Sequence, residues 1–415
     1  MGQANEVEIN GVDYFEEDSN FARFIIQHQP NFEEYILLLI ALTPHFKPSL
    51  FNQIIAEHLP DGGDLTEFGG IKGVNHRGIL PTGETALFVL AGDDLDKRLD
   101  IQRLLRPEHW LSEKHILYLG SVHEGEPSMS GLLIMEPEVV ELLTTGTISP
   151  PRFSTEFPAE HIRTEMEWDD LVLHPNTLQQ IQEIRHWITH SETLLHKWGM
   201  RKKIKPGFRA LFYGPPGTGK TLTASLLGKS TNKDVFRIDL SRVVSKYIGE
   251  TEKNLATLFA KAENKDWILF FDEADALFGK RTDIRDAHDK YANQEVAYLL
   301  QRIESYNGLI ILATNQRANI DDAFVRRFQT IIHFPMPRVE ERHRIWRSTF
   351  PPQLHIADDI NWLQVAARYE LTGAGILNVA HYCAIEALAD KSNLLTLQHL
   401  EKGILREYAK EGKVV

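Results

Sequence analysis

Residues 210–221 read Ala-Leu-Phe-Tyr-Gly-Pro-Pro-Gly-Thr-Gly-Lys-Thr, and no other run constrains the fold as tightly. An apolar strand pattern leads straight into a glycine-rich turn, and a helical pattern follows. In that order the glycines let the backbone fold back, so that several N–H groups face one point. The dipole of the following helix adds positive field there, and the point suits a phosphate. Pro216, Gly217, Thr218, Gly219, Lys220, Thr221 and Leu222 are the residues expected to bind a nucleotide. Lys220 is expected to reach the β and γ oxygens, and Thr221 to offer its hydroxyl to Mg2+. ATP and Mg2+ are the ligands this implies. A purely structural glycine turn is the competing reading. However, every fixed position of G-x-x-x-x-G-K-T is matched, and the strand–loop–helix context is present.

A second apolar run, Ile268-Leu-Phe-Phe, delivers Asp272 and Glu273 to its end, with Asp275 two residues on. Ligands of open α/β sheets bind at the carboxyl ends of strands. Asp272 is therefore expected to hold Mg2+ through its water shell, and Glu273 to polarise the attacking water. Asp275 reads as a second carboxylate or, preferably, as a cap for the next helix. A third run ends in Ala313-Thr314-Asn315, where Asn315 can orient the water or merely form a turn. Arg326 and Arg327 close a short helical stretch. They read as a solvated surface pair or, in a ring, as groups that reach a neighbour's γ-phosphate.

Around these motifs the chain separates into three regions by pattern. Residues 156–338 alternate strand and helix, the mark of a parallel α/β sheet. Its candidate strands are Arg209–Tyr213, Asp234–Asp239, Trp267–Asp272, Leu309–Thr314 and Thr330–Phe334. Residues 339–415 carry no strand signal and read as a small all-helical lid. Its helices fall near Val339–Thr349, Asn361–Tyr369, Gly375–Ala389 and Thr396–Lys410. Residues 1–155 mix helical runs (Phe32–Leu42, Leu50–His58, Asp96–Leu105) with strand-like pieces at Ala86–Leu90 and His115–Leu119. That makes a mixed α+β N-terminal domain, set off by Pro150-Pro151 and Pro158.

Charge divides the same way. Residues 1–160 hold 10 Lys+Arg against 26 Asp+Glu, while the remainder nets +3. An acidic front repels phosphate backbones and argues against nucleic acid as its partner. It serves solubility or an acidic docking surface. The start, Met-Gly-Gln-Ala-Asn-Glu-Val-Glu, has no basic patch leading into an apolar run, so no signal peptide is expected. Tyr35–Leu42 is too short to span a bilayer. A cytoplasmic protein with no membrane partner is expected. The lone Cys383 excludes an intrachain disulfide and reads as a small core residue. His186 and His190 stand four apart on a helix but lack a third ligand, so they read as solvated histidines.

Taken in order, GPPGTGKT at 214–221, FFDEAD at 270–275, ATN at 313–315 and Arg326-Arg327 resemble the AAA+ superfamily, and within it the AAA clade. The likeness covers residues 165–410. It implies a homo-oligomeric ring, usually a hexamer, whose ATP sites are completed by the next subunit. Ser245-Lys246-Tyr247-Ile248-Gly249-Glu250 resembles the first pore loop, with Lys246, Tyr247 and Ile248 gripping a polypeptide client; packing in a core is the alternative for Tyr247. Glu304-Ser305-Tyr306 matches the clade's inter-subunit signalling motif only in part. Gly373 and Ala374 stand where the lid approaches the adenosine. Asp170 and Val172 stand where the clade contacts adenine, without its usual glycine pair. The second pore loop is expected within Lys280–Glu295. That run and the N-terminal half are similar to bacterial AAA ATPases encoded with contractile injection systems. This implies a winged-helix-like front domain and a client from such a particle.

An ATP-driven, chaperone-like protein remodeller is the function these features favour. The alternatives are an ATP-dependent nucleic-acid loader, against which the acidic front argues, and a nucleotide-gated scaffold, against which Glu273 and the arginine pair argue.

Overall fold

The computed structural model describes residues 18–58, 65–149, 151, 153–154, 157–240, 250–263, 265–275, 287–316, 322–410 and 412. The chain divides into two compact units, Met1–Pro150 and Pro151–Val415. Among the described residues, no helix is long and apolar enough to cross a membrane.

The first unit is mixed α+β. Its helices include Asn20–His28, Phe32–Phe46, Leu50–His58, Gly83–Ala91, Leu95–Leu104 and Pro137–Thr145. Two short antiparallel pairs accompany them, β1 (Ile71–Lys72) with β2 (Ile79–Leu80) and β3 (Leu117–Leu119) with β4 (Leu133–Met135). Leu37, Leu38, Ala86, Leu111, Leu117 and Leu133 share one core. The helix Phe32–Phe46 starts at a capping box, in which Asn31 Oδ1 accepts from the Glu34 N–H and Glu34 Oε2 accepts from the Asn31 N–H, both at 2.8 Å. The expected strand Ala86–Leu90 is instead part of the helix Gly83–Ala91. Its bulky apolar residues fit a buried strand, but Thr82 and Thr85 form a second capping box just upstream and start a helix.

The second unit is built on a six-stranded sheet. It comprises β5 (Glu160–Ile162), β6 (Phe208–Tyr213), β7 (Val235–Asp239), β8 (Ile268–Asp272), β9 (Leu309–Thr314) and β10 (Thr330–His333). The order across the sheet is β10-β6-β9-β8-β7-β5. All neighbours are parallel except the edge strand β5, which pairs antiparallel with β7. To the parallel sheet expected from sequence, β5 adds one antiparallel edge, too short to announce itself by periodicity. Alternate residues go to opposite faces. Leu211, Leu269, Phe271, Ile310 and Leu312 enter one core, and Ala210, Phe212, Ile268, Phe270 and Ile311 the other. Helices such as Pro175–Glu192 and Lys220–Thr231 cover the sheet, as a parallel sheet requires.

The lid holds helices Val339–Thr349, Trp362–Arg368, Gly373–Ala389 and Leu397–Lys410. It is not all helical: β11 (His355–Ile356) pairs in parallel with β12 (Leu394–Leu395). Two residues carry no readable alternation, so sequence pattern misses such a pair. Asn361 caps its helix by accepting from the Leu363 and Gln364 N–H groups at 3.0 and 3.2 Å.

Candidate nucleotide site

The strand order puts β6 and β9 side by side, and the chain leaves them in opposite directions, toward β7 and toward β10. A crevice opens at the carboxyl ends of two such strands. The glycine-rich loop follows β6, and Asn315 follows β9.

The loop is shaped by its glycines. Gly214 has φ +149, and a Cβ there would fall 2.0 Å from the Phe334 carbonyl oxygen. Gly217 has φ +75, and a Cβ there would meet Ala374 Cβ and Thr372 Oγ1, each at 2.8 Å. The lid therefore touches the loop directly, and the Ala374 N–H donates to the Gly217 carbonyl at 3.2 Å. Gly373 and Ala374, expected near the adenosine, are thereby brought to the loop. The helix Lys220–Thr231 begins after Gly219 with no side-chain cap, so the N–H groups of its first turn face the crevice unserved by a cap.

Lys220 is buried. Its ammonium donates to the carbonyls of Gly214 and Pro215 at 2.6 and 2.9 Å and to Asn315 Oδ1 at 3.2 Å. Burial pulls its pKa down from the ordinary lysine value, and the carboxylates of Asp272 and Asp275 pull it back up. Lysine, asparagine and the β8 carboxylates thus meet in one place.

At the end of β8, Asp272 Oδ1 accepts from the Glu273 N–H at 3.0 Å. Arg237 of β7 donates to Oδ2 from Nε at 3.1 Å and from Nη2 at 2.9 Å. Glu273 is exposed, with φ +53, a left-handed backbone that costs a non-glycine residue about 1–3 kcal/mol. The Ala274 N–H donates to the Ala313 carbonyl at 2.9 Å, and Thr314 Oγ1 donates to Asp275 Oδ1 at 3.2 Å. Asp275 thus ties the β8 loop to β9.

The remaining expected residues fall as follows. Asp170 is exposed, and its Oδ2 accepts from the Glu167 N–H at 2.8 Å. Val172 is half-buried between Leu171 and Leu173, which lie against the loop: a Cβ on Gly219 would stand 3.0 Å from Leu171 Cδ1. Arg326 is exposed, whereas Arg327 Nη1 pairs with Glu304 Oε1 at 2.5 Å. Tyr306 is buried, and its hydroxyl donates to the Trp267 carbonyl at 2.8 Å. The rings of His186 and His190 are exposed. Lys246, Tyr247, Ile248 and much of the stretch holding the expected second pore loop lie outside the described residues.

Arg237 and Thr314 were not among the residues expected at the site. Arg237 carried a signal: it interrupts Val-Phe-Arg-Ile, a strand otherwise suited to burial on both faces, and a charge there needs a partner.

These groups suit a magnesium nucleotide. Thr221 and Asp272 supply hard oxygen donors of the kind Mg2+ takes, and the uncapped helix start and Lys220 suit phosphate. The sequence profile of the ATPase family associated with various cellular activities (AAA) matches residues 210–336. Among curated proteins, the chain is 31% identical over 246 residues to a proteasome-activating nucleotidase of Saccharolobus islandicus, covering 57% of this chain and 62% of that one. It is 31% identical over 230 residues to proteasome-activating nucleotidase 1 of Haloferax volcanii, covering 53% and 56%. It is 30% identical over 257 residues to a cell division cycle protein 48 homolog of Archaeoglobus fulgidus, covering 60% and 33%. The chain therefore spans between a third and about three fifths of the length of these relatives. The segment that the profile matches contains Lys220, Asp272, Glu273, Asn315 and the arginine pair.

Proposed function

We propose that the chain is an ATP-hydrolysing protein remodeller that works as a homo-oligomeric ring, a hexamer by analogy with its clade. The reading rests on one observation: Lys220, Asn315 and the carboxylates at the end of β8 converge at the crevice beside β6 and β9. Pro216 to Leu222 cradle the phosphates of ATP, and Lys220 holds the β and γ oxygens. Thr221 and Asp272 hold Mg2+, which when bound neutralises phosphate charge. Glu273 polarises the attacking water and Asn315 orients it. Val172, Asp170, Gly373 and Ala374 border the adenosine. Arg326 and Arg327 act on the neighbouring subunit's γ-phosphate, and Lys246, Tyr247 and Ile248 grip the client. The acidic N-terminal unit selects that client, a protein rather than nucleic acid. The names of the archaeal nucleotidase relatives support a protein-processing role. A contractile injection system component is the client we favour.

Glu273→Gln tests the reading. The variant is expected to bind ATP as the native protein does, while turnover falls by about 10²–10⁴-fold. Proteins retained by the stalled variant then identify the client. Native turnover in Glu273→Gln refutes the assigned chemistry.

A further inference from the structure

We infer that Arg237 is a positioning residue that locks the Asp272 carboxylate in the orientation it needs toward magnesium. The inference rests on the reading of Asp272 given above. Arg237 lies in the middle of β7, between the buried Phe236 and Ile238. Its guanidinium places two N–H groups on Asp272 Oδ2, and the Glu273 N–H holds Oδ1. The carboxylate is thus gripped on both oxygens, and its rotation about the Cβ–Cγ bond is stopped. Lone pairs remain on Oδ1 for a further donor, such as a metal-bound water.

Register strengthens the case. Asp239 stands directly opposite Asp272 in the β7–β8 pairing, so two acidic residues share one face at the crevice. Arg237, two residues before Asp239, belongs to the same face and brings a positive charge to it. The Arg237 and Asp272 side chains are 37% and 18% exposed, so the pair is partly withdrawn from water, where a charge-assisted bond holds geometry better than at an open surface. The strand pairing itself is made by backbone groups along β7 and β8 and does not depend on this side chain. Partners that orient a metal's ligands are worth about 10–100-fold in metal affinity.

The experiment reads binding rather than turnover. Fluorescence of an N-methylanthraniloyl ATP analogue is followed in excess EDTA and then across a magnesium chloride titration. The native protein, Arg237→Gln and Arg237→Lys are compared. Arg237→Gln is expected to bind the analogue normally without magnesium, while its half-saturating magnesium rises by about 10-fold or more. Arg237→Lys keeps the charge but loses the planar fork, and is expected to fall between. It also carries the test should the glutamine variant fail to fold. An unchanged magnesium midpoint in the variants overturns the inference alone. A lowered midpoint also overturns it, since Arg237 would then compete with the metal. A native protein that binds the analogue with no magnesium dependence overturns both this inference and the reading of Asp272.

Discussion

Every residue of β9 is buried, whereas neither strand of the β1–β2 pair has a buried residue. The central sheet holds itself by apolar packing on two faces, with side chains alternating between two cores. The N-terminal unit has an apolar core as well, and adds polar ties between short elements. Glu34 shows this: it accepts from the Asn31 N–H and from Trp110 Nε1 at 2.8 Å, and its Oε1 lies 3.0 Å from His109 Nε2. In the sheet the information is local and repeated. In the N-terminal unit it sits in single residues far apart in sequence.

Glycine substitution gives the sharpest test of that contrast. Gly214→Ala forces a Cβ to within 2.0 Å of the Phe334 carbonyl at φ +149. It is expected to cost about 3–5 kcal/mol in denaturant melting, much of a domain's stability. Gly125, at φ +94 in the N-terminal unit, has nothing within 4 Å of where its Cβ would stand. Gly125→Ala is expected to cost only the backbone term, about 1–2 kcal/mol. Equal costs would break the comparison.

A smaller effect is expected at Glu34. Glu34→Ala removes the reciprocal cap of Phe32–Phe46 and strips Trp110 and His109 of a buried acceptor. A loss of about 2–3 kcal/mol is expected, with nucleotide binding unchanged. If ATP-analogue affinity falls with it, the polar ties of the first unit serve the nucleotide site as well, and the division drawn here is wrong.

The same contrast explains what could be read in advance. The five parallel strands were legible because Ile268–Phe271 and Leu309–Ala313 are apolar without interruption and end in polar site residues. The phosphate loop was legible because glycine, lysine and threonine at fixed spacing have few other uses. Two-residue strands such as Leu394–Leu395 were not, since no periodicity fits in two residues. Ala86–Leu90 misled because its apolar run suits a buried strand and a buried helix alike; the Thr82 cap decided between them. The partner of Arg237 was hidden for another reason. A lone charge in a strand says that a partner exists, but only tertiary structure brings Asp272, thirty-five residues on, beside it.

Cys383 tests the packing side in the lid. It is fully buried among Val379, Leu400 and Ile404, and burial pushes its thiol up to about 12. The thiolate is the reactive form, so a maleimide should label the native chain about 10²-fold more slowly than the denatured chain. Rapid native labelling would mean that the lid opens far more often than its apolar core implies.

The smallest expected effect lies in the N-terminal unit and depends on pH. His28 packs on Phe24 and stacks on Trp110 with ring centroids 5.7 Å apart. Burial, helped by the Lys114 charge, lowers its pKa from the ordinary 6.5. The folded unit therefore resists protonation at His28 more than the unfolded chain does. Well above pH 6.5 neither state holds that proton, and the full stability is present. As pH falls below that value the unfolded chain binds protons first, and stability declines until the folded histidine is protonated too. Hydrogen exchange at amides of Asn20–His28 should accelerate on going from pH 7 to pH 5, once corrected for intrinsic rates. His28→Gln should flatten that dependence, even though it weakens the stack at every pH. A slope that survives the substitution would place the proton elsewhere and leave the stack as packing alone.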